Sequence, residues 1–425
     1  MTMDTQAAET QAVQPWRAPR VAPAAFASGR YWSPEWVLSF GSFTALLTVV
    51  ATDGKSLYVM LGLLGLYLIA FWKEALTAML PVAPLLALPA LAMASTLWSE
   101  APMESFRHGL QFGLTVFIAL LIARRTPGPA IIGSAFAALL LAGVLSLQFG
   151  RWVSVGFQQG SAFAGIFGSK NEMAVIASLL ALAAGAAVAD PRQPMIMRVA
   201  GVGGLMLAAL LLRTSQSAGA VVSTILAGGL FVILILITRM RFKWRALAAA
   251  AVLFATVPAA FMAEQQARTG EITILRKLGK DPTLTGRTYL WQRAEGYIAR
   301  RPVLGHGYQA FWRRGSLEAE GLWRFANIRS RAGFNFHNQY IEVLVELGWV
   351  GLITLVCTLA VGLAAFAARL MFQPTPTVAF GAAGFLLLLS RTPLESITLV
   401  QFSVATFVLF LTAALALAPE RRLQR

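Results

Sequence analysis

Residues 129–149 read PAIIGSAFAALLLAGVLSLQF. No charge interrupts them, and a helix of about 20 apolar residues is what the hydrocarbon layer of a bilayer demands. Similar runs recur along the 425-residue chain, near 36–53, 57–72, 75–97, 109–123, 129–149, 172–189, 196–212, 217–238, 245–262, 339–368, 376–390 and 396–418. Roughly twelve spans result, so the sequence predicts an all-α polytopic membrane protein. Composition agrees: 57% of residues are hydrophobic and 13% are charged, against about 25% charged in soluble domains. The expected organisation is a cytoplasmic tail over 1–33, nine spans over 34–262, a long loop over 263–338, three spans over 339–418 and a second cytoplasmic tail over 419–425. The N-terminal tail lacks the apolar core of a cleavable signal peptide, so the first span is expected to act as the insertion signal. The connection from Gly150 to Asn171 contains Phe, Trp and Gly and is expected to dip back into the membrane, where surrounding protein would have to satisfy its backbone.

The net charge of +16 is spread over short loops rather than gathered in a basic domain, which excludes nucleic-acid binding as the main activity. With the N-terminus inside, the cytoplasmic loops hold Lys73, Arg124, Arg125, Arg192, Arg239, Arg241, Lys243, Arg245 and Arg369, and the C-terminal tail holds Arg421, Arg422 and Arg425. That asymmetry follows the positive-inside rule. The long loop, rich in Arg, then falls outside. Long loops cross largely regardless of charge, so its cations call for another explanation.

Its informative part runs DPTLTGRTYLWQRAEGYIARRPVLGHGYQAFW from Asp281, then FNFHNQYIEVLVELGWVG from Phe334 to Gly351. Other polar groups fall on the same predicted face: Trp98-Ser99-Glu100, Arg107-His108, Lys170-Asn171, Arg213 to Ser217, and Arg391 with Glu395. Cations converging on one membrane face suit a lipid-linked diphosphate, since the arginine fork pairs with phosphate oxygens bidentately and stays charged when partly desolvated. Each residue also has a plainer role. Arg213 could snorkel from the end of its apolar run. Asn171 could cap the helix that follows, flanked by Lys170. Arg300-Arg301 reads as a solvated helix end. Arg287 precedes an amphipathic helix over 288–300, expected to lie on the membrane surface. Trp291, Tyr297, Phe311 and Trp312 read as interfacial anchors, with sugar stacking as the alternative. His337, beside Asn338 and Tyr340 at the start of a span, is placed to take a proton from a sugar hydroxyl. His306 sits between glycines and reads as a turn residue; His108 reads as core or interfacial filling.

Three histidines are scattered and Cys357 is the one cysteine. No disulfide can form within the chain and no metal-ligand spacing appears. No Asp-x-Asp pair is present in the loop. No cofactor is therefore expected, and cationic side chains would have to stabilise a leaving diphosphate.

The ordered pieces Gly165-Ile-Phe-Gly-Ser-Lys-Asn171, Arg213-Thr-Ser-Gln-Ser217, Thr283-Leu-Thr-Gly-Arg-Thr-Tyr-Leu-Trp-Gln292, Pro302-Val-Leu-Gly-His-Gly-Tyr308 and His337-Asn-Gln-Tyr340 resemble the O-antigen ligase and polysaccharide polymerase family, the Wzy-type membrane glycosyltransferases. Trp98-Ser99 followed by Pro102 fits as well. The resemblance covers roughly residues 90 to 410. It implies a fold related to C-type glycosyltransferases. It also implies metal-free, inverting transfer of a glycan from undecaprenyl diphosphate at the periplasmic face of the inner membrane. The roles it assigns fall on His337 and Arg287 as catalytic residues. Arg213 and Lys170 would hold the diphosphate, with Asn171, Trp291, Tyr340 and Arg391 as further substrate contacts. The Thr-Leu-Thr-Gly-Arg-Thr-x-Leu-Trp string is most similar to succinoglycan-type exopolysaccharide polymerases, from which Tyr289 departs. A polymerase would take an acceptor glycan and membrane lipids as partners, together with a chain-length regulator. A ligase acting on lipid A core or protein, and a non-enzymatic transporter, are the alternatives.

Overall fold

The computed structural model describes residues 33–155, 160–242, 244–245, 285–331 and 334–417. The ninth predicted span lies outside the described residues apart from Arg245, as do residues 263–284 and both tails apart from Ser33. Thirteen α-helices, numbered α1 to α13 below, a few 3-10 turns and one hairpin make up what is described. The all-α class expected from the apolar runs therefore holds. Among the described residues, seven helical stretches are long and apolar enough to cross a membrane.

Helix α1 (Pro34–Leu47) starts where the sequence says it should: Ser33 caps it by accepting from Trp36 N–H, and Pro34 occupies the first turn, where its missing N–H costs nothing. Helix α2 (Ser56–Met79) continues through a 3-10 stretch (Leu80–Leu86) into α3 (Ala87–Ala94). The two predicted spans here thus form one apolar run of 42 residues, Ser56–Leu97. It is bent at Phe71, whose φ of −135° and ψ of 33° are not helical, and is tightened at Pro81 and Pro84, which lack backbone donors.

Helices α4 (Pro102–Arg125), α5 (Gly128–Phe149), α6 (Lys170–Ala189), α7 (Met195–Ser215) and α8 (Ala218–Thr238) form the body. Helix α6 is its most buried member and packs on α5, α7 and α8. Between membrane helices, dispersion and close backbone approach replace the hydrophobic effect as the source of association. Gly201 supplies that approach: a Cβ there would sit 2.9 Å from the Ala184 carbonyl oxygen and 2.7 Å from Val188 Cγ2.

The Gly150–Asn171 connection is a hairpin of β1 (Arg151–Val155) and β2 (Gly160–Gly165), antiparallel. Pairing satisfies the facing backbone groups of the two strands, while their outer edges carry no third strand among the described residues.

The long loop folds into α9 (Thr285–Arg300) and α10 (Leu317–Phe325) around a second core of Leu290, Ala294, Tyr297, Phe311, Leu322, Phe336 and Val345. Trp291 and Trp312 pack against it. These aromatics, expected as interfacial anchors, instead hold the loop together. Helix α9 covers the predicted amphipathic segment and begins three residues earlier.

Helix α11 (Gln339–Phe372) is interrupted at Gly348, with φ +63° and ψ −160°. The interruption exposes backbone groups that the Pro302–Tyr308 turn takes up. His306 N–H donates to Val345 O at 2.9 Å, Gly307 N–H to Glu346 O at 2.8 Å, and Trp349 N–H to Pro302 O at 2.8 Å. Gly305 and Gly348 are required there. Both have positive φ, and a Cβ on either would lie 2.4 Å from a carbonyl carbon of the opposing strand of chain. Helices α12 (Pro376–Leu389) and α13 (Val404–Leu417) complete the fold. The last span, expected over 396–418, is helical only from Val404. Pro393 ends the helical conformation upstream; Thr392, Ser396 and Thr398 bond to Tyr340, Asn338 and Gln339 at the start of α11, and Ser403 donates back to Ile397 O.

Candidate functional site

The non-helical segment between α12 and α13 carries Glu395, and residues from three other elements meet on that carboxylate. His337 Nδ1 lies 3.4 Å from Oε2. The Arg287 guanidinium, in the first turn of α9, lies 3.6 Å from Oε1. Asn171 Nδ2, in the first turn of α6, donates to Oε1 at 2.9 Å. Ser217, at the start of α8, donates to Asn171 Oδ1 at 3.4 Å. Arg391 stands one turn upstream and is 5% exposed, with no hydrogen bond to its Nε among the described residues.

Local sequence explains each placement. Ser169 caps α6 by accepting from Glu172 N–H, and the Glu172 carboxylate accepts from Gly168 N–H. The cap is therefore Ser169 and not Asn171, whose amide is left to reach Glu395. The His337–Tyr340 motif is a docking strip. His337 adopts φ +52°, held by donation of its N–H to Asn335 Oδ1. Asn338 caps α11 through Tyr340 and Ile341 N–H. Gln339 Oε1 accepts from Thr398 N–H at 2.9 Å, and Tyr340 OH pairs with Thr392 Oγ1 at 2.9 Å. The motif thus fastens α11 to the segment that carries Glu395. Beneath it, Glu342 accepts from Trp312 Nε1 at 2.7 Å and from Phe336 N–H at 2.8 Å.

Burial raises the Glu395 carboxyl, but the His337 bond and the positive charges of His337, Arg287 and Arg391 outweigh it and hold the group below the usual carboxylate range. Burial lowers the Arg391 guanidinium from its ordinary value; Glu395 opposes that and Arg287 adds to it. Two guanidiniums against one carboxylate leave the cluster one positive charge in excess even with a neutral His337. A dianionic phosphate group would be attracted there. With Nδ1 turned to Glu395, the imidazole offers Nε2 to a ligand as a base, the arrangement general-base catalysis uses.

The other expected residues fall around this cluster. Lys170 opens α6 beside Asn171. Arg213 is exposed in the last turn of α7, and no ion pair joins it to Glu395 among the described residues. Trp291 is half-buried, its indole N–H given to Phe336 O at 2.8 Å. Arg300 pairs with Glu318 at 2.9 Å, and Arg301 donates to Trp98 O at 3.0 Å. His306 is a turn residue, as expected, and also a buried bridge: Nδ1 lies 2.8 Å from Glu100 Oε1 and Nε2 3.0 Å from Tyr297 O. The residue that sequence reasoning did not place at the centre is Glu395. A carboxylate four residues from an Arg between two apolar runs was the available signal, since ionisable groups at membrane depth are rare. Among the described residues, no three of His, Cys, Asp and Glu gather as a metal site.

Fold and site together define a multi-pass membrane protein with a cationic, histidine-containing cluster of side chains at the ends of its helices. The chain matches the O-antigen ligase family model over residues 202–356. It is also 37% identical over 329 residues to the exopolysaccharide production protein ExoQ of Rhizobium meliloti (strain 1021), covering 76% of this chain and 74% of that protein. This chain belongs to the O-antigen ligase family.

Proposed function

We propose that the protein is an inverting glycosyltransferase. It moves a glycan from undecaprenyl diphosphate to an acceptor glycan at the periplasmic face of the inner membrane and joins exopolysaccharide repeat units. The observation that carries this reading is the meeting of His337, Arg287, Asn171 and Arg391 around Glu395. The name of the similar protein favours exopolysaccharide as the product.

In this mechanism Arg287 and Arg391 take the diphosphate oxygens, Arg287 exchanging its carboxylate partner for phosphate. Arg213 and Lys170, at the ends of α7 and α6, hold the outer part of the donor. Glu395 keeps the His337 ring oriented through Nδ1. The acceptor hydroxyl gives its proton to Nε2 while its oxygen forms the new bond to the anomeric carbon. The carbon–oxygen bond to the diphosphate breaks on the opposite side, which inverts the centre. The negative charge that develops on the leaving diphosphate is stabilised by the guanidiniums, so no metal ion is required. Trp291 and Tyr340 frame the sugar side of the cluster, and a chain-length regulator is a partner for the growing product.

The test is transfer by purified protein with lipid-linked repeat units as donor and acceptor, in chelator. His337→Ala should lower the rate by about 10²–10⁴-fold, the usual contribution of a general base, and leave donor binding intact. Full activity of that variant, or restoration of chelated wild type by magnesium or manganese, overturns the mechanism. A single addition to lipid A core with no elongation would assign the same site to ligation, the activity named in the family description.

A further inference from the structure

A second concavity lies between α9 and α10, with a volume of about 280 Å³. Tyr289, Arg293, Tyr297 and Arg300 line one wall and Glu318 and Gly321 the other. The first four stand at helical spacing on one face of α9, so the cleft follows that helix for about 16 Å. Its Tyr289 end is two residues along α9 from Arg287, and its Arg300 end lies at the far end of that helix. Its volume falls just below that of sites for drug-sized ligands, which run from about 300 to 1,000 Å³.

The lining is specific in kind. Tyr289 is 37% exposed although it packs on Phe325 with ring centroids 4.2 Å apart. Arg300 lies over the Tyr297 ring at 5.2 Å and pairs with Glu318 at 2.9 Å. Arg293 is exposed, stands one turn before Tyr297 on α9, where its charge acts on the Tyr297 hydroxyl, and has no carboxylate partner among the described residues. Gly321 lies inside α10, where a Cβ would meet nothing within 4 Å. A glycine in a helix interior is destabilising relative to alanine. Gly321 borders the cleft, so a large side chain placed there has open space beside the lining residues. Aromatic rings bordered by guanidinium and carboxylate groups fit sugar rings, whose C–H faces stack and whose hydroxyls both donate and accept. A lipid tail would not need the charged groups, and a phosphate would not need the rings.

We propose that this cleft is a glycan subsite, holding one or two sugar units of the chain a short distance from the reacting end. It rests on the glycosyl-transfer reading above and assigns that reading a second contact outside its catalytic cluster. A chain gripped here stays with the protein between additions, so the subsite governs product length more than the rate of one transfer.

The experiment uses the full chain in detergent, with fluorescently labelled oligosaccharides released by mild acid from the source strain's own polysaccharide. Gly321→Leu blocks the cleft without removing any lining group and raises helix propensity, so folding is preserved; Arg293→Ala removes a cation from an exposed position. Each variant should weaken oligosaccharide binding at least tenfold and shorten the products, while a single transfer from the lipid-linked donor proceeds at the wild-type rate. Wild-type binding and product length in both variants overturn the subsite and leave glycosyl transfer standing. So does a wild-type protein that transfers glycan but does not bind the oligosaccharides. A wild type that neither binds nor transfers any glycan removes the subsite and the reading beneath it together.

Discussion

Glu395→Gln is the most telling single change, because the amide keeps the shape and the Asn171 bond but removes the charge. The carboxylate faces Arg287 at 3.6 Å, a separation worth about 4.6 kcal/mol of attraction at an effective dielectric near 20. Arg287 is 26% exposed on its side chain, so water recovers part of that. Arg391, at 5% exposure, cannot be rehydrated as easily. Removing one member of a buried pair costs about 3–5 kcal/mol, and partial exposure of the site sets the expectation near the lower end, about 3 kcal/mol. The catalytic consequence is separate. Without its anchor at Nδ1 the His337 ring is free to turn, and the rate of a single transfer should fall about 10²-fold, within the range of general-base contributions. Two measurements distinguish the effects: thermal unfolding in detergent, and single-turnover transfer below the melting range. In the His337→Ala background the same change should cost little further rate, because the two side chains act as one unit. Wild-type turnover by Glu395→Gln, or additive losses in the double variant, would refute the assignment of Glu395 as the group that positions His337.

Arg287→Lys should lose about 10²–10³ in rate although charge is kept, since one ammonium cannot reproduce the planar fork on a phosphate; equal, wild-type turnover of the Lys and Ala variants would make Arg287 an ordinary cation. His306→Ala should lose stability, by about 1–3 kcal/mol for the buried Tyr297 carbonyl left unsatisfied, since Glu100 is exposed and can be rehydrated, with the remaining folded protein still active; unchanged melting would contradict its place between Glu100 and Tyr297. The Glu395 carboxyl is held below its usual value in the folded protein, so its contribution to stability is complete above about pH 4.5 and lost as pH falls through the lower folded value; acid titration of melting should show this loss in wild type, and a flatter curve in Glu395→Gln. With Cys357 replaced, a cysteine at Arg314 should react with an impermeant thiol reagent in spheroplasts and one at Gln373 should not; the opposite pattern would put the proposed site on the wrong face.

Sequence alone determined the class and named several members of the candidate cluster. A run such as 129–149 has no stable alternative to a membrane helix, because an unpaired backbone cannot be left in hydrocarbon. Likewise, His337, Arg287 and Asn171 were legible as functional candidates because polar groups are scarce in such a chain and stand out. What only the tertiary structure decided is which of them meet. Asn171, Arg287, His337 and Glu395 lie on four elements far apart in sequence, and no periodicity within a segment encodes contacts between segments. The roles of Pro302–Tyr308 and His337–Tyr340 were hidden for the same reason. Their backbone and side-chain bonds go to a helix break at Gly348 and to the segment before α13, and neither feature exists until the helices have packed. The aromatics of the long loop were legible as apolar surface, but whether that surface faces lipid or a second core depends on what folds over it. Glu395 became the centre of the cluster only through the company of His337, Arg287 and Arg391, which favours its charged form where burial acts against it.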